Sequence, residues 1–344
     1  MDRIERFYAT IARKPVDRPA SWLGLPVPEA CDRLFEYFQV SDIDELKAVI
    51  DDDIYPVEMP YESPTSSAIY TALDFAKPTA DGRKDQRTLT APGFFEDYSD
   101  PSRINDFDWP NPADHIDPAK CRQAVEAAPP GYPVMGVVWS AHFQDACSAF
   151  GMETALVKML TEPEMFRAVI DRIAEFYLDA NEIFYSATEG KLDAVLIGND
   201  FGSQRGLMIS PDAVREFVIP GTIKLIEQAK SYGLKVFYHS CGSIYDVIPD
   251  LIAAGVDVIH PIQALAKNMD PYKLQREFGD QVSFCGGVDA QELLINGTPE
   301  QVKAKVKELK SIFPTGLIIS PSHEAILPDV NPANIEALFA GIKA

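Results

Sequence analysis

The chain has 344 residues, 46% hydrophobic and 24% charged, and its 52 Asp plus Glu against 31 Lys plus Arg leave a formal net charge of −21. Such a field repels nucleic acid and anionic membranes and disfavours polyanionic substrates, leaving a small molecule or a basic protein as the expected partner. The five cysteines, at 31, 121, 147, 241 and 285, are odd in number and form no framework, which points to a reducing compartment.

The opening residues, Met1-Asp-Arg-Ile-Glu-Arg, lack the apolar core of a secretory signal, and no apolar run approaches the ~20 residues of a membrane span. A cytoplasmic location is therefore expected. A start helix over about 2–13 is followed by a strand candidate at 20–24, a helical stretch near 28–50 and a second strand candidate at 51–58. Residues 60–118 are polar and rich in proline turns. From residue 130 the order changes, and apolar strand candidates at 133–139, 192–198, 234–239, 256–261, 281–286 and 316–320 alternate with amphipathic stretches. The helical patterns fall at 151–161, 163–188, 211–231, 243–254, 270–278, 299–313 and 331–343. Ser210-Pro211-Asp212 and Thr298-Pro299-Glu300 each supply an N-cap, a proline at the first helical position and an acidic first turn.

Alternation of this kind implies parallel strands with right-handed crossovers. Six units, plus two strands in the N-terminal third, predict a closed (β/α)8 TIM barrel. It is read as one domain over 1–344, irregular and helical over 1–130 and regular over 131–344. A doubly wound open sheet is the alternative, but neither a Gly-x-Gly-x-x-Gly turn nor a P-loop is present.

In such a barrel the chemistry sits at the C-terminal ends of the strands. Those ends carry Asn199, Asp200 and Gln204; His239 and Cys241; His260 and Gln263; Cys285 and Asp289; and His323 with Glu324. Capping is an alternative role for Asp200 or Asp289. Five successive polar strand ends read as an active-site floor.

His239 and Cys241, two apart at the end of one strand, leave on the same face, roughly 6–7 Å apart at Cβ. Both can reach one zinc ion, which needs three protein ligands and an open position for catalysis. His323 is the favoured third ligand, with Cys285 or Glu324 as alternatives, and His260 is a core or rim histidine. The bland reading is a buried histidine beside an inert thiol.

His-Ser-Cys-Gly-Ser at 239–243, Ile-Pro-Asp-Leu-Ile with Gly-Val-Asp at 248–257, and Pro-Ile-Gln at 261–263 resemble the uroporphyrinogen decarboxylase superfamily. So do Cys-Gly-Gly-Val-Asp-Ala-Gln at 285–291 and Ser-Pro-Ser-His-Glu-Ala-Ile-Leu-Pro-Asp at 320–329. The resemblance covers 130–344 well and the first 130 residues loosely, and it implies a (β/α)8 barrel with its cleft at the C-terminal face. The decarboxylase branch uses no metal and grips its porphyrinogen with an arginine-bearing N-terminal segment. Here that region reads Arg18-Pro-Ala-Ser-Trp-Leu-Gly-Leu-Pro26, without the arginine pair, although Asp51-Asp-Asp-Ile54 is similar to that branch's Asp-Ile turn.

The zinc-dependent methyltransferases of corrinoid pathways share the His-x-Cys pair, and their third cysteine falls where this chain has His323. The resemblance to that branch implies methyl transfer between a corrinoid on a separate carrier protein and a small thiol or other heteroatom. Asp200 and Gln204 would then orient the substrate, and Asp289 would hydrogen-bond a metal ligand from behind. Trp139, Tyr238 and Gln263 would contact the substrate, with core packing as the other role for the two aromatics. A decarboxylase of porphyrin biosynthesis is the alternative function, and a homodimer is allowed.

Overall fold

The computed structural model describes residues 1–77 and 90–344, so the 78–89 portion of the polar stretch lies outside the described residues. Eight parallel strands make the main sheet. They are β1 (Ala20–Ser21), β2 (Tyr55–Glu58), β3 (Val134–Trp139), β4 (Ala194–Gly198), β5 (Lys235–His239), β6 (Val258–Ile262), β7 (Ser283–Val288) and β8 (Leu317–Pro321). Each of β2 to β8 pairs with its neighbour in sequence, and β1 pairs with β8 through Ala20↔Ile318 and Ser21↔Ile319. The two ends of the sheet meet where the Asp53 N–H donates to the Ser21 carbonyl at 3.0 Å. The expected (β/α)8 barrel is what forms.

The strands are near-continuous apolar runs because both faces are covered. Inward residues of successive strands, among them Ala20, Val137, Leu196, Phe237, Val258, Cys285 and Ile318, pack as one apolar layer within the barrel. The N-terminal helix Arg3–Ile11 closes the bottom, its Phe7 ring stacking on Phe237 at 6.1 Å. Outward residues pack beneath the helices in a second, larger core.

Helices follow the expected positions with instructive differences. The 28–50 stretch is two helices, Pro28–Phe38 and Ile43–Ile50, because Gln39 turns left-handed at φ 55° and Asp42 caps a fresh start. The 211–231 stretch contains a π turn at Val214–Val218 directly before Pro220, which has no N–H to continue the α-helical pattern. A helix at His142–Phe150, absent from the sequence reading, follows β3 directly and starts without any side-chain cap. Among the described residues no helix is long and apolar enough to cross a membrane.

Three consecutive aspartates tie the barrel seam. Asp53, fully buried, accepts from Arg6 Nη1 (2.6 Å), Arg18 Nη1 (2.7 Å), the Ser21 N–H (2.9 Å) and the Ser21 hydroxyl (3.0 Å). Asp52, equally buried, accepts from Lys47 Nζ at 2.6 Å and from the Leu23 N–H at 3.1 Å. Removing one partner of a buried ion pair strands the other charge at a cost of about 3–5 kcal/mol. Asp53→Ala is therefore expected to lower the unfolding free energy by about that amount. Denaturant titration checks this, and a loss below about 1 kcal/mol would contradict a load on this carboxylate.

Candidate metal centre and cavity at the barrel mouth

Two residues beyond the apolar layer, the inward positions carry a different chemistry. Val137 is followed by Trp139, Leu196 by Gly198, Phe237 by His239, Val258 by His260 and Ile318 by Ser320. Period-two alternation alone puts these side chains at the mouth. Gly198 is required there, because a Cβ would fall on the His239 carbonyl of the adjacent strand.

His239 is the centre of the arrangement. Its Nε2 lies 3.5 Å from Cys241 Sγ and 3.3 Å from Asp200 Oδ1, and its Nδ1 lies 3.0 Å from His260 Nδ1 and 3.4 Å from Glu324 Oε2. Asp200, at the end of β4, also accepts the Cys241 N–H at 2.8 Å and so fixes the loop after β5. Three overlapping groups could each hold a metal ion: Asp200, His239 and Cys241; His239, His260 and Glu324; and Cys241, His323 and Glu324. His260 Nε2 and Glu324 Oε2 are buried without a hydrogen-bond partner, which is unusual for buried polar atoms.

The groups shift one another's protonation strongly. Burial alone would push the His239 imidazole down, but Glu324, Asp200 and Cys241 outweigh it and hold the ring charged well above the ordinary range. Burial raises the Cys241 thiol, yet hydrogen bonds from His239 and His323 carry it below its usual value. Burial works against Asp200 also, and the His239 contacts and the Cys241 N–H bring it down to about 2. His260 goes the other way: burial and the neighbouring His239 and His323 keep it neutral. A thiol of lowered pKa beside an imidazole and two carboxylates is a ready cation site.

A cavity of about 420 Å³ opens beside this cluster, with Trp139, Tyr70, Glu58, Asp145, Asp200 and Glu324 on its wall. Trp139 and Ser140 both adopt left-handed backbone, at φ 54° and 55°, where β3 loses register with β4. Strain at a bulky residue is sustained only when the surroundings over-determine it. Here it turns the indole edge-on to His239, 5.9 Å between ring centres.

The sequence profile described as uroporphyrinogen decarboxylase (URO-D) matches residues 91–344. The chain belongs to the uroporphyrinogen decarboxylase family. This URO-D family member is 27% identical over 194 residues to uroporphyrinogen decarboxylase of Chlorobium phaeobacteroides, a match covering 54% of this chain and 50% of the relative. It is 26% identical over 169 residues to methylated-thiol–coenzyme M methyltransferase of Methanosarcina mazei, covering 49% of this chain and 42% of that protein. The chain thus spans about half the length of the curated relatives it matches. A solved methyltransferase from Methanosarcina mazei superposes with a TM-score of 0.69 at 16% identity, over 99% of this chain and 98% of the other, which fixes the shared fold.

Within this URO-D fold the expected residues separate. His239, Cys241, Asp200, His323 and Glu324 converge, whereas Cys285 lies in the apolar layer below the mouth, its thiol pushed far up by burial, and is not within reach as a ligand. Asp289 is not behind a ligand either. Its carboxylate caps the next turn, accepting from the Gln291, Glu292 and Leu293 N–H groups at 3.2, 2.8 and 2.9 Å. Tyr238 faces outward into the helix layer and packs near Asn199 and Thr222, because it alternates with inward His239. Gln204 and Gln263 do not line the main cavity. Gln204 Nε2 donates to Gln263 Oε1 at 3.0 Å, and that oxygen accepts the Gly242 N–H at 2.9 Å, so the pair braces the loop that carries Cys241. Gln263 instead lines a smaller neighbouring cavity with His323. Trp139 lines the main cavity.

Asp145 and Glu58 were missed. Asp145 follows β3 by six positions, so reading the end of that strand as the others were read would have found it. Its half-buried carboxyl accepts from the Tyr177 hydroxyl at 2.5 Å. Burial drives it up to about 7 against the pull of that hydroxyl. Because the folded value exceeds the unfolded one, the native state holds a proton between about pH 4 and 7 that the unfolded chain has lost. This group should therefore make stability fall as pH rises through that window, by at most about 1.4 kcal/mol per pH unit. Comparing denaturation of wild type and Asp145→Asn from pH 4 to 8 checks this: the variant should be relatively more stable at the upper end, and parallel curves would refute it.

Proposed function

We propose that this protein is a zinc-dependent methyltransferase, moving a methyl group between a corrinoid held by a carrier protein and a small thiol or other heteroatom compound. The observation that carries the reading is the close set of His239 Nε2, Cys241 Sγ and Asp200 Oδ1 at the barrel mouth, with an open cavity alongside. One nitrogen, one depressed thiol and a carboxylate form a donor set that suits zinc. His239 and Cys241 would hold the ion, and Asp200, His323 or Glu324 would complete the shell. Zinc when bound there would lower the pKa of a substrate thiol, so that the nucleophilic anion exists near neutral pH.

The chain's own residues supply the rest. Glu324 and His260 face His239 Nδ1 and fix which ring nitrogen is free for the metal. The Gln204–Gln263 brace holds the Cys241 loop in place, and the Trp139 indole keeps water from one side of the cluster. His323 accepts the Ala325 N–H at Nδ1, at 3.0 Å, which leaves its Nε2 as the nitrogen that would face a metal held by Cys241.

The decarboxylase alternative is favoured by the named Chlorobium relatives, but the cavity speaks against it. Among the described residues its wall carries Glu58, Asp145, Asp200 and Glu324 and no lysine or arginine, a poor receptor for a polycarboxylate. Arg6 and Arg18 are committed to Asp53 at the barrel seam. All five cysteines are free thiols, in keeping with a reducing, cytoplasmic setting.

Protein purified without a histidine tag should contain about one zinc per chain by mass spectrometry, the stoichiometry of a three-ligand catalytic site. His239→Ala and Cys241→Ser should each lower that content at least about tenfold with unchanged circular dichroism, as expected when one ligand is lost. Wild-type protein that binds no zinc, or zinc content indifferent to both substitutions, would sink the proposal. Metal-free conversion of uroporphyrinogen to coproporphyrinogen would establish the alternative.

A further inference from the structure

Apart from the His239 imidazole, the charged side chains lining the cavity among the described residues are all acidic. Among the described residues neither Glu58 nor Asp145 has a basic side chain within ion-pair distance, and no lysine or arginine lines the cavity. Asp145 has only the Tyr177 hydroxyl as a partner, an uncharged donor. Glu324, nine-tenths buried at 9% exposure, also lines the cavity, with its Oε2 held 3.4 Å from His239 Nδ1. Two rings complete the wall: Trp139, held in place by its left-handed backbone, and Tyr70, 6.4 Å from it and edge-on, yet 53% exposed. An exposed tyrosine beside a tryptophan and unpaired carboxylates has no packing explanation. It has a binding one, since ring faces and carboxylates attract the same kind of charge.

We propose that the cavity binds an organic cation carrying methyl groups, a quaternary ammonium or a sulfonium, between the rings of Trp139 and Tyr70 and the carboxylates of Asp145 and Glu58. This deepens the methyl-transfer reading and rests on it for the substrate's fate, though not for its binding. The volume of about 420 Å³ suits a small ligand of this class. An onium is also a sound methyl donor. The carbon–nitrogen or carbon–sulfur bond breaks with its electron pair staying on the heteroatom, which leaves as a neutral amine or thioether. The acceptor, a thiolate or a reduced corrinoid, supplies the pair for the new bond to the methyl carbon. No oxidant is consumed, and no proton needs to move.

Titration calorimetry of the full chain with tetramethylammonium, trimethylsulfonium, the neutral isostere neopentyl alcohol and the anion ethanesulfonate tests the proposal directly. The two cations should bind at least about tenfold more tightly than the isostere and the anion, a margin in the range of a desolvated cation–ring contact. At pH 8, above the value to which burial raises Asp145, Asp145→Asn and Trp139→Leu should each weaken cation binding by about tenfold. Trp139→Phe, which keeps a ring face, should recover most of the affinity lost in Trp139→Leu and so separates recognition from folding. Equal or tighter binding of ethanesulfonate or neopentyl alcohol, or cation affinity untouched by both Asp145→Asn and Trp139→Leu, would overturn it. Zinc content measured on the same samples keeps the two readings apart. Cation binding without zinc would remove methyl transfer and leave this site standing, whereas zinc without cation preference would remove this site alone.

Discussion

Everything at the mouth of this barrel depends on the alternation of side chains along its parallel strands. Successive residues leave on opposite faces, so one residue in two along each strand faces the axis, and the axis has room for only a few layers. The lower layer is apolar and filled, with Phe237, Val258, Cys285 and Ile318 in contact below the site. The layer above inherits whatever stands two residues later, and in this sequence that is Trp139, His239, His260 and Ser320. Because the lower layer admits no water, the polar layer rests on a low-dielectric floor, where charges act strongly on one another.

That floor explains the electrostatics. A buried imidazole should be neutral, yet His239 is held charged because Glu324, Asp200 and Cys241 surround it. His260, also buried and 3.0 Å away, is neutral, because burial disfavours its charged form and the charge of His239 beside it adds to that. The cluster therefore has one positive centre, a thiol inclined to ionise and two carboxylates. It is poised for a cation in the same way that the seam at Asp53 is saturated by two. The contrast is instructive: the seam supplies Arg6 and Arg18 as permanent partners, whereas among the described residues the mouth supplies no lysine or arginine.

Much of this was legible from residue order alone. The eight strands, the closure into a barrel, and the His239–Cys241 pair follow from apolar runs, turn punctuation and period two, which are local properties of the chain. The interior path of a single helix start was less so. The helix His142–Phe150 has no side-chain cap to announce it, and with it went Asp145. Breaks at Gln39 and before Pro220 likewise depend on local backbone geometry that composition only hints at. For Tyr238 alternation was enough to exclude an inward position once His239 was placed inward, so that role could have been withdrawn from the sequence.

The sequence by itself determined the architecture and the identity of the reactive groups, because periodicity and caps act over a few residues and strand ends in a barrel must gather at one face. Only the tertiary structure decided which polar strand ends meet. Cys285 sits one layer too deep, Asp289 turns back to cap its own loop, and Gln204 with Gln263 braces the Cys241 loop, while Glu324 and Asp200 arrive beside His239 from different strands. Those outcomes are set by strand stagger and loop path, which fix depth and direction to within an ångström or two, and no spacing along the chain encodes them.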